Sequence, residues 1–510
     1  MYPSPVTQTE VFAVVHPLNP EIIFVSSNAI SFSPSFFVSE GIYVSTDRGL
    51  NWRGSDTCNG ANIQFHNGDP GIAIDKDGRF VIVRNGRTPF FGLFSHYSDD
   101  LGLNWSAQKN ITNIQLERAT LHSNTFSGTP GFGRTYAAWV RFTPPYPVVF
   151  SYTDDGGENW SVVTQINSPT QRNSGSEIAI GKDGTVYIVW AVVTPQSPFT
   201  EVFGGIARST DGGQAWWVNE NAFPMNGIQG VLSNKQNIRV NGLPRIAIDN
   251  SNGEFSGRIY VVTTERGLTP AGNDPDIILR YSDNGGVSWS NAIRVNKDQL
   301  NNGKTQYFPA LNVDDFGTLN ILYYDDRNTT NDSTAVFLSR STDGGASFTE
   351  YEITKENFKP LPIGGLGQGY QGDNIALVST GNKLFPFWMS NKTGIYQIWT
   401  ADITVPVSVK EGIIPEEISF EISQNYPNPV SLSTDATSII DYKLNKSGAV
   451  NLSLYSANGE LIKVLINDYK SSGQYAELIN LKELKVASGV YFVRMLFDGT
   501  VKTVAISVVN

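Results

Sequence analysis

A chain of 510 residues with 40% hydrophobic and 17% charged residues can bury a large core, which excludes disorder or a coiled coil for its bulk. Its net charge of −11 opposes extended contact with nucleic-acid phosphates or anionic lipid, so no nucleic-acid partner is expected. Forty-eight glycines, 26 prolines and 12% aromatics, without stretches of helical period, point to many short strands joined by tight turns.

A single cysteine, Cys58, permits no internal disulfide, and the four histidines (His16, His66, His96, His122) lack the spacing of a helix-borne zinc site. No EF-hand ligand order occurs, so no metal and no cofactor are assigned. No run of about 18 apolar residues exists, so no membrane-spanning helix is expected. The opening MYPSPVTQTEVF lacks the regions of a signal peptide, and export would require a leader already removed.

Along the chain, strand phrases begin with VFAVV (11–15) and IIFVSS (22–27) and are punctuated by one turn pattern, Ser/Thr-x-Asp-x-Gly-x-x-Trp. It occurs as STDRGLNW (45–52), SDDLGLNW (98–105), TDDGGENW (153–160), STDGGQAW (209–216), SDNGGVSW (282–289) and STDGGASF (341–348), with the third positions 53–73 residues apart. Such a period accommodates one four-stranded sheet. Strand-turn-strand phrases precede several copies, as in GIAIDKDGRFVIVR (71–84), EIAIGKDGTVYIVW (177–190) and ALNVDDFGTLNILYY (310–324). Within each copy the Ser/Thr and Asp side chains accept amide hydrogen bonds, Gly supplies a positive φ, and the closing aromatic starts the next strand with its ring between sheets. Asp47, Asp100, Asp155, Asp211, Asn284 and Asp343, with Trp52, Trp105, Trp160, Trp216, Trp289 and Phe348, therefore read as structural.

The strand phrases exceed the turn copies by one unit: NIALVS (374–379), LFPFWMS (384–390) and YQIWTADI (396–403) form a last group without a turn copy or a fourth strand. A ring of sheets leaves no exposed edge when the other terminus lends a strand, and residues from Val6 to Thr9 are placed to do so. The expected fold is all-β, a seven-bladed β-propeller over 1–403 with six blades as the alternative. A linker over 404–419 and an immunoglobulin-like β-sandwich over 420–510 follow, the latter from the alternating strands AVNLSLYS (449–456), ELIKVLIN (460–467) and GVYFVRMLF (489–497).

The turn copies resemble the Asp-box, or bacterial neuraminidase repeat, of sialidase-like propellers. That resemblance implies a ligand site on the face opposite the boxes, and an exo-acting glycosidase of sialidase-like type if the chain is catalytic. The Arg-Ile-Pro motif of sialidases is absent, and the first unit has no Arg before Trp52 except Arg48. The tail phrases Asn-Tyr-Pro-Asn-Pro (425–429), Asn458-Gly459 and Gly-Val-Tyr-Phe (489–492) resemble the type IX secretion C-terminal sorting domain. This implies a Gram-negative source, a secreted or surface-attached protein, and the secretion machinery as a partner of 420–510.

On the face opposite the boxes, loops before first strands and after second strands carry the candidate chemistry. Glycosidic cleavage needs two carboxylates, or a carboxylate with a Tyr nucleophile, about one bond; Asp69 and Asp373 are the carboxylates expected near the axis, and Tyr324 or Tyr370 is the nucleophile if the enzyme is sialidase-like. Arg84, Arg87, Arg118, Glu177, Arg245, Arg327 and Tyr307 are expected to bind ligand. Asp325 and Asp326 offer Arg327 a structural ion pair instead. The functional expectation is a protein that binds or hydrolyses an extracellular glycan or glycoprotein; the alternative is a non-catalytic, protein-binding surface platform.

Overall fold

The computed structural model describes residues 1–32, 37–58, 66–405, 420–457, 459–497 and 500–510. Two compact units divide the chain, Met1–Pro406 and Val407–Asn510. Most of the expected linker, 406–419, and Asn458 of the expected tail turn lie outside the described residues.

Among the described residues of the first unit, seven antiparallel sheets follow in chain order, together with a two-stranded sheet of Gly230–Leu232 and Ile238–Val240. Sheets one to six each have four strands in simple succession. Their first strands are Thr7–Val15, Gly71–Ile74, Thr120–Ser123, Asn173–Ile180, Arg245–Ile248 and Gln306–Val313; sheet seven opens with Ala376–Thr380. Each first strand packs against the next, and Ala376–Thr380 returns to Thr7–Val15, so the seven make a closed ring. Apolar layers fill the spaces between consecutive sheets. Phe24 of sheet one stacks on Phe80 of sheet two at 4.5 Å between ring centroids, and the layer between sheets four and five joins Ile206 and Phe223 to Ile246 and Val261.

The six turn copies join third to fourth strands and repeat one set of bonds. In the first, Ser45 Oγ donates to Asp47 Oδ1 (2.9 Å) and accepts from Gly49 N–H (2.7 Å), while Asp47 Oδ1 accepts from Asn51 N–H (2.8 Å). The same three bonds recur at Asp100, Asp155, Asp211, Asn284 and Asp343. Backbone N–H groups of Asn51, Asn104 and Ala215 hold Asp47, Asp100 and Asp211 below the usual carboxylate range. The closing aromatic enters the preceding sheet: Trp105 meets Phe24, Trp216 meets Phe150 and Trp289 meets Phe223, while Trp52 crosses from sheet one to Phe387 of sheet seven. Trp160 donates to Ser95 Oγ at 2.7 Å, and Phe348 is buried with Leu279 and Tyr260.

A second repeated bond had no counterpart in the sequence reading. Arg79, Arg134 and Arg258, at the start of second strands, each pair with an Asp at the end of their own sheet's third strand and donate to a carbonyl in the next sheet's acidic turn.

Ring closure differs from the expected strand loan. Thr7–Thr9 belong to sheet one, paired with Asn28–Ile30, and reach sheet seven through individual bonds instead of a ladder. Gln8 N–H donates to Tyr396 O, Gln8 Oε1 accepts from Ile398 N–H, and Gln397 Nε2 donates to Val6 O. Val11 and Asn374 exchange two further bonds. Backbone and side-chain amides together tie this seam, and sheet seven takes its fourth strand from its own end, the short Ile403–Thr404 paired with Lys383 and Leu384, where the sequence suggested none.

In the second unit a three-stranded sheet (Phe420–Ile422, Thr437–Leu444, Gly473–Asn480) and a five-stranded sheet (Val430–Ser431, Gly448–Ser456, Leu461–Lys470, Gly489–Phe497, Thr500–Val509) share one apolar core. Phe420, Ile440 and Leu452 lie in it, as do Met495 and Ile506. Among the described residues no helix is long and apolar enough to cross a membrane.

Candidate functional site

The first strands line a channel of about 410 Å³ whose walls include Ile72, Ala73, Leu121, His122, Ala179 and Ile246. Just before those strands the lining turns polar. A second cavity, about 260 Å³, is walled by Glu10, Asp69, Glu117, Arg118, Arg172, Arg239, Tyr370 and Asp373, with Asn85, Phe142 and Phe199. Most of its residues precede first strands or follow second strands, on the side away from the acidic turns; Glu10 and Asn85 lie inside such strands, and Arg239 comes from the two-stranded sheet. Antiparallel order places them there: a strand's start and the end of its neighbour share one edge.

Two of its carboxylates occupy backbone conformations that side-chain-bearing residues rarely adopt, Glu10 at φ 58° and Asp69 at φ 55°. Glu10 sits in a bulge of the first strand, between Thr9 and Phe12 of the ladder. Gly372 makes the bulge possible: it has φ +106°, and a Cβ there would come 2.9 Å from Glu10 N. Asp69 is held by its N–H to Asn28 Oδ1 (2.7 Å) and by Asn85 Nδ2 to its Oδ2 (2.9 Å). Gly68 lets the chain pass Asn28, since a Cβ would stand 2.4 Å from that Oδ1.

The Glu10 and Asp69 carboxyl groups are near enough that each affects the other's pKa. Burial pushes Glu10 well above the usual carboxylate range, with Asp373 and Asp69 adding to it. Burial also raises Asp69 to about 6, partly offset by Arg118. Burial and the neighbouring negative charges thus both favour the protonated form of these two acids.

Asp373 accepts from Asn241 Nδ2 at 2.7 Å and lies 3.8 Å from Arg118 Nη1. Burial works against the charge on Arg118, but Asp373 and Glu10 outweigh it and raise its pKa. Arg245 donates to Glu177 Oε2 (3.3 Å) and to the Asp373 carbonyl (3.1 Å) at the channel wall. Tyr370 lies under the Arg239 guanidinium, 4.7 Å from its ring, and burial followed by Asp373 raises its hydroxyl pKa, so it remains a protonated donor.

Other expected ligands lie elsewhere. Tyr324 is fully buried, exchanges hydrogen bonds with the Met389 backbone and stacks on Tyr307, so neither ring reaches the cavity. Tyr307 donates to Gln371. Arg84 points between sheets, donating to His96 Nε2 (3.2 Å) and Gln108 Oε1 (2.8 Å). His96 is lowered to about 4, first by burial and then by Arg84, and His66 bonds the buried Glu40. Arg327 is clamped by Asp325 and Glu350, and Asp326 holds Lys235. Arg84 and Arg327 are thus held by partners of their own sheets, and Tyr324 by the backbone of sheet seven. Among the described residues no group of three His, Cys, Asp or Glu is placed to hold a metal ion.

Glu10, Glu117, Arg172 and Arg239 escaped the sequence reading. Glu10 had one signal, a charged residue in mid-strand within TQTEVFAVV.

No family model and no curated protein sequence matches the chain. Among solved structures it is similar to an ulvan lyase, a polysaccharide lyase (11% identity, 78% of this chain and 94% of that one, TM-score 0.49). It is also similar to an α-L-arabinanase of Penicillium chrysogenum (15%, 66% and 95%, 0.43) and to the intramolecular trans-sialidase of Ruminococcus gnavus (12%, 68% and 94%, 0.42). At these scores the functional argument rests on the residues of this chain.

Proposed function

We propose that the protein is a seven-bladed propeller with a C-terminal β-sandwich, and that the cavity beside its axis binds a glycan and cleaves a glycosidic bond. The observation that carries this reading is the buried Glu10–Asp69 pair, both carboxyls raised above their ordinary range, lining one cavity with the Asp373 carboxylate and Arg118. In the proposed step the pair gives its proton to the leaving oxygen as the C–O bond breaks, and Asp373 accepts a proton from the attacking water. Glu10 and Asp69 take the acid role together, Asp373 the base role, and Tyr370 donates a hydrogen bond. The sialidase-like exo mode with a tyrosine nucleophile loses support, because Tyr324 is remote and Tyr370 holds its proton.

The non-catalytic alternative draws on the same withdrawal of Tyr324, and one experiment separates the two. A panel of chromogenic glycosides assayed from pH 4 to 8 should give turnover with at least one sugar, abolished in Glu10→Gln/Asp69→Asn. Turnover unchanged in that variant would refute the acid assignment.

Export, surface attachment and the sorting role of 420–510 are part of the proposal. Their support is that Asn425 of the tail phrase is buried and ties its loop to Ser438 and Pro427 O. Deleting 420–510 in the natural host should leave the protein inside the cell.

A further inference from the structure

The cavity does not end at the acid pair. A neighbouring depression of about 370 Å³ shares Asn67, Asn85, Gln115 and Leu116 with it and continues over the loop between Gly86 and Gly92, where Arg87 and Phe91 line it. The loop is a tight hairpin: Gly86 and Gly92 pair across it, Phe90 N–H donates to Arg87 O at 2.8 Å, and a Cβ at Gly92 would come 1.9 Å from Thr112 O. Phe91 is 46% exposed, an aromatic face on a fixed loop.

At the other flank Arg172 enters the 260 Å³ cavity between aromatic rings, 4.3 Å from the Phe199 centroid and 4.5 Å from that of Tyr146. Its buried Nε has no hydrogen-bond partner. Most guanidinium groups of this unit are tied to carboxylates or carbonyls, as Arg79, Arg134, Arg245, Arg258 and Arg327 are. Arg87 and Arg172 form no ion pair among the described residues, and they stand on sheets two and four with the Gln115–Arg118 segment of sheet three between them.

We infer that the two depressions form one groove for the interior of an acidic polysaccharide, with Arg172 and Arg87 each taking a carboxylate or sulfate on either side of the Gln115–Arg118 segment, and Phe91 stacking on a sugar face. The inference rests on the glycan reading above and names its substrate class. An unpartnered buried donor beside cationic planes loses its desolvation penalty when an anion arrives, and guanidinium geometry suits a two-oxygen acceptor. The chain as a whole carries −11 and repels polyanions, so attraction must be local to the groove.

Affinity electrophoresis of the full chain through gels containing dextran, dextran sulfate or polygalacturonate tests this. Expected are retardation by at least one acidic polymer that weakens with added salt, none by dextran, and a loss of at least about tenfold in affinity for Arg87→Ala and Arg172→Gln. Arg87 is on a surface loop, so its variant folds even if the Arg172 variant does not. Equal retardation by dextran, unchanged retardation of Arg87→Ala, or no retardation by either acidic polymer would overturn the inference. The Glu10→Gln/Asp69→Asn variant should still be retarded, so a failure of the cleavage proposal is read in turnover and a failure of this one in mobility.

Discussion

The two faces of the ring use the same residue type to opposite ends. On one, Asp47, Asp100 and Asp211 each sit in a turn whose backbone N–H groups saturate the carboxylate and depress its pKa. On the other, Asp69 and Glu10 are raised, because burial removes water and the nearest groups include other acids. The first set repeats with nearly identical bonds from sheet to sheet; the second occurs once, in strained backbone. Repetition here marks what holds the sheets together, and departure from it marks where protons can be traded.

The sharpest way to break this contrast is at Glu10. Glu10→Gln should lower glycosidic turnover roughly 100- to 10,000-fold, the usual span for a general acid, with little change in folding. Steady-state kinetics beside urea melts would show it, and a drop in stability matching the drop in rate would return Glu10 to the structural class. Next in size, Trp105→Ala removes a ring that is 7% exposed and wedged against Phe24, and should cost about 3–5 kcal/mol in urea unfolding.

Asp69 provides an intermediate test with a definite sign. The folded chain keeps the Asp69 proton up to about pH 6, whereas the unfolded chain releases it near 4, so this group's stabilisation is present below about pH 4 and lost as pH rises through 6. Asp69→Asn should therefore raise stability by about 2 kcal/mol at pH 7 and by almost nothing at pH 4. Thermal melts at the two pH values measure it. The smallest effect belongs to the turns: Asp211→Ala removes acceptors for Gln214 and Ala215 N–H and should cost about 1 kcal/mol without changing turnover. A loss of activity there at unchanged stability would contradict the division of the faces.

The sheets were legible because turn chemistry is local: Ser/Thr, Asp and Gly at fixed offsets bond to their own backbone, so the pattern survives without knowledge of the fold. Asp69, Arg118, Tyr370 and Asp373 were legible at the next level, since antiparallel order alone decides which loops share an edge. Arg84 and Tyr324 were misplaced because their strand ends have the right address while their side chains are drawn elsewhere, Arg84 by His96 and Gln108 of its own sheet and Tyr324 by the Met389 backbone of sheet seven. Glu10 was missed because a bulge is set by the approach of Gly372 from sheet seven, more than 350 residues away. Arg172 was missed because its aromatic cage is assembled from Phe142, Tyr146 and Phe199.

Glu10 lies two residues from Gln8, within the seam where sheet one meets sheet seven, and its partner Asp69 comes from sheet two. The bulge that presents Glu10 to Asp69 is thus packed against the segment entering sheet seven, so the proposed proton donation would depend on circular assembly. A permuted chain whose ends were cut elsewhere and whose seam became a covalent link should keep its chemistry under denaturing stress for longer than the natural one.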